Sequence, residues 1–473
     1  MEHTHTNRNK KFFKDFGIYS IGILGTRIVM FLMVPFYTYF IEDTGQFGYY
    51  DLCSQICLFL IPLTTLQMRE ASFRFLLETD NNDSRTQVVS FIYRTLFFNI
   101  LIISLLVALA AILTNIPYLW HTFALLIALT LHEVVCQISR GLKRNDVYVS
   151  CNIVNALLIG VLSVLFVGVM DMGIEGIFYA NLASRIAVIA LIEIRLHVFT
   201  QYFKFSAVSK EVGKSILAYS LPLILTNMCW LFTTSSDRFF IVCLIDNGTA
   251  VNGVYSVAVK FTMILQTLAV IFYQTWQETA ITQYHTSDRD EFFSKIFNIY
   301  VYVLVALLIV YSFTLKLNYG WLVGENYQNS VIYLFPLGIS FLLSSLSSAF
   351  FDLGYQCAKE TRRSIIAVVL TVILNVTLNL LITPKIGIWG VISANVVSYL
   401  FLALYRYFDT RRYFRISIDH SSFALPVVLL LGLAAYHYSD TVMEELAAFA
   451  VLVMIMIALA PSPIKQMLKK LHK

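Results

Sequence analysis

Apolar stretches of roughly 20 residues recur along the whole of this sequence of 473 residues. A helix rises about 1.5 Å per residue, so each stretch is long enough to cross about 30 Å of hydrocarbon. Because a helix satisfies its own backbone hydrogen bonds, it can lie in lipid. Charged residues make up only 13% of the chain, about half the share of a soluble domain. The sequence therefore predicts an all-α polytopic membrane protein.

Fourteen apolar stretches can be marked, which predicts about 14 transmembrane helices. They lie near 16–41, 48–68, 88–113, 118–139, 147–170, 174–196, 216–245, 253–276, 293–315, 329–352, 363–383, 387–408, 421–438 and 442–460. The first is too long for the core of a signal peptide, so we expect it to stay in the mature protein. The last two are short, and a re-entrant hairpin is the alternative to two full spans.

The distribution of positive charge predicts the orientation. Of the 34 Lys and Arg residues, 27 lie in the two termini and every second loop, whereas the alternate loops hold only Lys316 and Lys385. Lys and Arg collect in loops that stay in the cytoplasm. We therefore expect both termini to be cytoplasmic. The same pattern accounts for the net charge of +5 without a nucleic-acid partner.

A segment of twelve residues recurs in the two halves of the chain. Gly173-Ile-Glu-Gly-Ile-Phe-Tyr-Ala-Asn-Leu-Ala-Ser184 returns as Gly387-Ile-Trp-Gly-Val-Ile-Ser-Ala-Asn-Val-Val-Ser398, with six identical positions. Two shorter motifs recur in the same order: Tyr19-Ser20 returns as Tyr219-Ser220, and Gly48-x-Tyr50 returns as Gly253-x-Tyr255. Six predicted helices separate each pair, so both copies keep one orientation, which indicates a parallel repeat.

The repeat predicts a division into domains. We expect a six-helix bundle over 1–196, a cytoplasmic linker over 197–215, a second six-helix bundle over 216–410, and a C-terminal helix pair with a basic tail over 411–473. The two bundles form the parallel repeat. The linker is either an interfacial amphipathic segment or a solvated loop.

Charged residues inside the predicted helices are the candidate site. A charge at the bilayer centre costs about 2.5–3.5 kcal/mol, so it usually faces a wet cavity or a partner. Arg27 and Arg185 lie near mid-helix, and Arg238 and Lys260 lie in outer halves. Together with neighbouring polar residues, they predict a hydrated, cationic, substrate-binding cleft formed by Arg27, Arg185, Arg238, Lys260, Asn181, Asp237 and Gln274. Structural pairs, Asp237 with Lys260 and Arg185 with Glu193, are the alternative.

Polar residues at helical spacing support this cleft. One such stripe in the eleventh predicted helix consists of Thr371, Asn375 and Asn379. Polar stripes do not face lipid comfortably, so they imply either a hydrated cleft or hydrogen bonds between helices. A cationic cleft suits an anionic group such as pyrophosphate, because arginine offers a planar fork to its oxygens.

Signals for an enzyme are weak. His132-Glu133-x-x-Cys136 matches half of a zinc-protease motif but lacks the second histidine. The seven cysteines lie in or beside apolar stretches, where cysteine usually packs as a small apolar residue. We expect a transporter rather than an enzyme, with no catalytic residue, no metal site and no cofactor.

Residues 17–76 resemble the opening of the polysaccharide-biosynthesis flippases of the Wzx type, in the multidrug/oligosaccharidyl-lipid/polysaccharide exporter superfamily. The matching stretches are Gly17-Ile-Tyr-Ser-Ile-Gly-Ile-Leu-Gly25, Pro35-Phe-Tyr-Thr38, Phe47-Gly-Tyr-Tyr-Asp-Leu52 and Arg69-Glu-Ala-Ser-Phe-Arg74. The repeat and the last helix pair extend the resemblance over the whole chain. These stretches are specific to the family and not to a substrate.

The resemblance implies a flippase that moves a polyprenyl-pyrophosphate-linked oligosaccharide repeat unit, of O-antigen or capsular polysaccharide, from the cytoplasmic to the outer leaflet by alternating access. It implies a bacterial inner-membrane protein whose partners are the lipid-linked oligosaccharide, membrane lipid, and a polysaccharide polymerase with its chain-length regulator. The coupling ion, H+ or Na+, stays open.

Two other transport functions are open alternatives. A multidrug or toxic-compound extrusion antiporter has two six-helix bundles without the extra pair, and its cavity favours acidic residues, whereas a lipid II flippase is closer to the predicted architecture. The C-terminal pair, about 421–460, is almost wholly apolar. It is predicted either to form one wall of a groove for the polyprenyl chain or to pack as a stabilising flank.

Overall fold

The computed structural model describes residues 25–79, 81–205, 209–358 and 360–461. The described ranges are almost entirely helical and contain no β-strand. Thirteen of their helices are long and apolar enough to cross a membrane. A further helix occupies 25–40, and the start of the first predicted apolar stretch lies outside the described residues. The predicted class, an all-α polytopic membrane protein with about 14 transmembrane helices, is confirmed.

The helices of the first half follow the predicted order. They are α1 (25–40), α2 (Thr44–Thr65), α3 (Met68–Leu77), α4 (Asn82–Leu113), α5 (Leu119–Gly141), α6 (Asn145–Ser163), α7 (Gly173–Leu196), α8 (Val198–Tyr202) and α9 (Lys210–Leu244). A π-helical turn, Val164–Val169, continues α6. The short helices α3 and α8 lie in two of the basic segments predicted to be cytoplasmic loops.

The second half repeats this succession and adds two helices. It contains α10 (Gly248–Gln283), α11 (Arg289–Leu322), α12 (Val331–Ser345), α13 (Asp352–Ala358), α14 (Thr361–Ile386), α15 (Ile388–Thr410), α16 (His420–Tyr438) and α17 (Val442–Leu459). A 3-10 helix, Glu325–Ser330, precedes α12, and a π-helical turn, Leu346–Phe351, joins α12 to α13. The last two helices have 19 and 18 residues, or about 27–29 Å each, so each is long enough to span.

Packing contacts divide the chain into two compact units. The N-terminal unit comprises Met1–Ile41 and Tyr49–Arg238, and the C-terminal unit comprises Glu42–Gly48 and Phe239–Lys473. This division falls within α9, later in the chain than the linker predicted over 197–215. The two divisions rest on different criteria, packing in one case and sequence repetition in the other, so the predicted domain boundaries stay a prediction.

The recurring twelve-residue segments begin equivalent helices. Gly173 and Gly387 have φ of +55° and +62° and stand at the start of α7 and α15, a conformation that favours glycine. A Cβ at Gly176 would lie 2.9 Å from Val167, and one at Gly390 would lie 2.6 Å from the Cα of Thr383. In both copies the second glycine therefore lets the new helix pack closely on the end of the preceding one.

Lys316 does not lie in a loop, as its place in the charge pattern predicted. It lies within α11, which continues to Leu322, and its ammonium is 3.3 Å from the carboxylate of Glu445 on α17. The same nitrogen donates to the carbonyl oxygens of Tyr436 and Ser439, at 2.6 and 2.8 Å. Within the C-terminal unit, the partly buried Lys316 thus links α11 to both helices of the C-terminal pair.

Candidate functional site

Arg185 lies close to the middle of α7, a helix of 24 residues. Its Nη1 donates to the carbonyl oxygen and to Oδ1 of Asn181, both at 2.8 Å. The Nδ2 of Asn181 donates to the hydroxyl of Tyr50 on α2, at 3.2 Å. The ring of Tyr50 in turn meets Phe178 edge-on, at 5.0 Å between centroids. Two predicted site residues, Asn181 and Arg185, therefore form one hydrogen-bonded group.

The charge of Arg185 is not balanced by a carboxylate within this group. The guanidinium forms no ion pair in the described part of the chain, and its buried Nε has no hydrogen-bond partner there. Glu193, the alternative partner, accepts instead from the backbone N–H groups of Phe199 and Thr200 at α8. The alternative of an Arg185–Glu193 pair is therefore wrong. A half-buried guanidinium with free donor capacity is suited to an anionic ligand.

Arg27 is the other mid-helix arginine of the sequence prediction. It lies in α1, and its side chain is exposed in the structure. Among the described residues it makes no ion pair and no hydrogen bond. The N-terminal unit thus holds two arginines inside apolar helices, Arg27 and Arg185, that form no ion pair among the residues described, although Glu133 interacts with the charge of Arg185 at longer range.

Arg238 differs from these two because it is paired. Its Nε lies 3.4 Å from Oδ2 of Asp51 on α2, and the two side chains are only 3% and 4% exposed. Asp51 belongs to the Phe47–Leu52 stretch that carries the family resemblance. The adjacent Asp237 is also buried. The net charge of the region around Arg238 is therefore closer to zero than its cations alone would suggest.

Lys260 and Gln274 lie on α10, in the C-terminal unit. The ammonium of Lys260 stands 4.7 Å from the centroid of the Phe47 ring, within range of a cation–π contact. The side chain of Gln274 lies outside the described residues. The substrate-binding role of all seven predicted residues stays a prediction.

The polar stripe of the eleventh predicted helix, now α14, does not face a hydrated cleft. Thr371, Asn375 and Asn379 are all buried. Asn375 donates to Oδ1 of Asn395 on α15 at 2.9 Å, and Asn379 donates to the Asn375 carbonyl oxygen at 2.9 Å. The interpretation as a cleft-lining surface is wrong for this stripe, because its amides bind a neighbouring helix and each other.

Arg406 is a further cation, close to the end of the predicted stretch 387–408. It lies within α15, is 3% exposed, and its Nη2 is 2.9 Å from Oδ1 of Asp352. Its guanidinium also donates to the carbonyl oxygen of Ser347, at 3.1 Å, and to the hydroxyl of Ser364, at 3.1 Å. Arg406 is thus a buried cation whose charge is paired with a carboxylate, in contrast to Arg185, although the buried Nε of each lacks a hydrogen-bond partner among the described residues.

The half zinc motif is part of a charged and polar packing region. Glu133 pairs with Arg69 at 3.2 Å, and Arg69 also pairs with Glu70 at 2.7 Å. His132 is buried with its Nε2 at 3.6 Å from Sγ of Cys136. No set of three metal-ligating side chains occurs within the described ranges. Arg69, which belongs to another stretch of the family resemblance, therefore connects α3 with α5, and Glu70 pairs with it from the same helix.

The sequence matches a family of known description over more than half of its length. The family model for a polysaccharide biosynthesis protein covers residues 12–276. The chain belongs to this family. No curated protein sequence gives a significant match. The matched range includes all four stretches on which the resemblance rested, as well as Arg27, Arg185, Arg238 and Lys260.

Solved structures share the fold of this family member. A lipid II flippase, MurJ, in an inward closed conformation is similar with a TM-score of 0.68 and 14% identity, over 93% of this chain and 97% of that one. An inward-facing multidrug resistance MATE family transporter of the MOP superfamily is similar with a TM-score of 0.63 and 14% identity, over 83% of this chain and 98% of that one. At this identity the similarity shows the fold alone.

One group of residues was missed by the sequence interpretation. Trp120 and His121 at the start of α5 and Phe178 and Tyr179 on α7 line a cavity of about 180 Å³ in the N-terminal unit. The only sequence feature that could have pointed to this cavity was the cluster of aromatic residues at the start of the fourth predicted helix. Aromatic residues at a helix end are expected at a membrane interface anyway, so that signal alone did not indicate a cavity.

Proposed function

We propose that this member of the polysaccharide biosynthesis family is a flippase for a polyprenyl-pyrophosphate-linked oligosaccharide repeat unit. It moves the unit, of O-antigen or capsular polysaccharide, from the cytoplasmic to the outer leaflet of the bacterial inner membrane by alternating access. The observation that carries the proposal is Arg185, a guanidinium near the middle of a membrane helix without an acidic partner among the described residues. The family description supports the glycan, and the arginine supports the anionic pyrophosphate.

The chemistry of the site favours an anion. A pyrophosphate offers several oxygens to a planar guanidinium, and such charge-assisted hydrogen bonds are about twice as strong as neutral ones. The Asn181 amide holds Nη1 of Arg185 and leaves the rest of the fork for the ligand. Arg27 supplies a second cation. An organic-cation exporter would need acidic residues in these places, and the acids near Arg238 are buried.

The lipid II flippase in the comparison supports a second candidate function, transport of a polyprenyl-pyrophosphate-linked cell-wall precursor. Its support is the fold, which covers 93% of this chain. The same arginines would serve that substrate, since both substrates carry a pyrophosphate. The family description favours the polysaccharide repeat unit. The proposal includes no enzyme activity and no cofactor, and it includes coupling to H+ or Na+ as the source of free energy.

A complementation experiment tests the proposal. In a strain that lacks the gene, surface polysaccharide is measured after expression of the wild type, Arg185→Ala, Arg185→Lys and Arg27→Ala. We expect both alanine variants to abolish the polysaccharide and Arg185→Lys to retain part of it, because lysine keeps the charge and loses the fork. Arg411→Ala, at an exposed arginine after α15, is the matched control and should be normal. Normal polysaccharide in both alanine variants would contradict the role of these arginines.

A further inference from the structure

The cavity between α5 and α7 has the size of a site for one small ring. Its volume is about 180 Å³, and its walls are Trp120, His121, Ala124, Phe178, Tyr179 and Leu182. Pockets for drug-sized ligands are larger, roughly 300–1,000 Å³. All six lining residues lie on α5 and α7 of the N-terminal unit, so the cavity is formed within one unit.

The aromatic walls of this cavity are held in place by their neighbours. Phe178 is 2% exposed, and its ring lies 5.0 Å from Tyr50 and 6.2 Å from Tyr118. The His121 ring lies 5.4 Å from Tyr179. Trp120, in contrast, is 58% exposed, and its ring meets Phe123 edge-on at 6.3 Å between centroids. Aromatic faces carry negative potential and attract polarised C–H groups.

A polar pair lies among these rings. Nε2 of His121 and the hydroxyl of Tyr179 are 3.1 Å apart. Besides this contact, the Tyr179 hydroxyl and the other ring nitrogen of His121 can each form one more hydrogen bond. A lipid acyl chain in the cavity would leave that capacity unsatisfied, which costs free energy. A pyranose ring complements both the aromatic rings and the polar pair, because its C–H faces are apolar and its edge carries hydroxyl groups.

We propose that this cavity binds a single pyranose ring, the terminal sugar of the lipid-linked oligosaccharide, at the extracytoplasmic end of the N-terminal unit. The position rests on the proposed function and on the predicted topology, which places the starts of α5 and α7 outside. A sugar that has crossed the membrane meets the cavity where it leaves the protein. Trp120 and Tyr179 are the two side chains on which recognition of the ring depends.

The test measures sugar binding directly and needs no transport. The full-length protein is placed in nanodiscs of phosphatidylethanolamine and phosphatidylglycerol, because detergents with sugar headgroups would compete. Saturation-transfer NMR is recorded with methyl pyranosides of glucose, galactose and N-acetylglucosamine, and with 1,6-hexanediol as a ligand that has hydroxyl groups but no ring. We expect transfer to at least one pyranoside and none to the diol.

Three variants identify the site. Trp120→Ala should weaken binding of that pyranoside roughly two- to tenfold, the range of a lost aromatic contact. Tyr179→Phe keeps the ring and the fold and should weaken binding less. Trp321→Ala removes another exposed tryptophan, 68% exposed at the end of α11, and should leave binding unchanged. Absence of transfer to every pyranoside, or equal losses in Trp120→Ala and Trp321→Ala, would overturn the proposal.

A competition arm distinguishes a lipid-linked sugar from a free glycan. A short-chain polyprenyl-pyrophosphate sugar in the same nanodisc should displace the methyl pyranoside from the wild type. Binding of free pyranosides without such competition would overturn the assignment to the lipid-linked substrate. If the wild type binds pyranosides but flips no lipid-linked glycan, the proposed function is wrong and the sugar site stands.

Discussion

Arg185 and Arg406 allow one substitution to be compared in two environments. Replacement of Arg406 by leucine leaves the half-buried carboxylate of Asp352 without its ionic partner at 2.9 Å. Breaking a fully buried pair costs about 3–5 kcal/mol, which is an upper bound here because Asp352 is 20% exposed and also accepts hydrogen bonds from Gln356 and Ser364. Arg406→Leu should therefore destabilise the protein strongly, although Arg406 contacts no part of the candidate site.

Arg185→Leu should have a smaller effect on stability. The change removes a charge that costs about 2.5–3.5 kcal/mol near the bilayer centre. It also removes the two hydrogen bonds that this charged group donates to Asn181, worth about 1.5–3 kcal/mol each. The net change therefore lies between a gain of about 0.5 kcal/mol and a loss of about 3.5 kcal/mol for the variant. Arg185 thus contributes less to stability than Arg406, as expected for a group that serves function.

Thermal unfolding of the purified variants measures this contrast. The midpoint is followed by the loss of the monodisperse peak in size-exclusion chromatography, with all three proteins in the same nanodisc composition. We expect the midpoint of Arg406→Leu to fall furthest below that of the wild type and the midpoint of Arg185→Leu to lie above that of Arg406→Leu, with surface polysaccharide lost in Arg185→Leu. A midpoint of Arg185→Leu as low as that of Arg406→Leu would refute the reasoning, because Arg185 would then be a structural residue.

Three further predictions concern topology, packing and lipid contact. Alkaline phosphatase should be inactive when fused after residue 473 and active when inserted at Gly324, between α11 and the 3-10 helix; the reverse pattern would contradict the orientation. Gly48→Ala should lower the thermal midpoint, because its Cβ would overlap the Thr249 carbonyl oxygen, whereas Gly320→Ala, with nothing within 4 Å, should not. A diazirine on the polyprenyl chain should label 421–460 and adjacent helices of the C-terminal unit, and labels confined to the N-terminal unit would exclude a groove at this pair.

The sequence predicts the helices well because hydropathy is a local property. Both α7 and α15 begin within a residue of the predicted starts, since a glycine with positive φ marks each start. The end of α11 was harder to predict, because the helix continues past the apolar stretch to Leu322. Lys316 was placed in a loop for this reason. The acidic partners of Lys316 and Arg406, Glu445 and Asp352, lie on other helices, where no local pattern reveals them.

The candidate site was predicted only in part because its contacts are distant in sequence. Arg238 and Asp51 are separated by 187 positions, and no local pattern relates them. The buried amides of α14 have the spacing of a cleft-lining stripe, and only the rotation of α14 against α15 decides that they face Asn395. Arg185 and Asn181 were found together because they are four residues apart on one helix face.

Reconstituted transport tests the central claim most directly. The purified protein is inserted into liposomes that carry a fluorescent polyprenyl-pyrophosphate oligosaccharide, and the fraction accessible to an externally added glycosidase is followed over time. We predict that the wild type exposes the substrate of the inner leaflet and that Arg185→Ala does so no faster than empty liposomes, while Arg185→Lys keeps an intermediate rate. Equal rates for the wild type, Arg185→Ala and protein-free liposomes would contradict the claim that this chain flips a lipid-linked glycan.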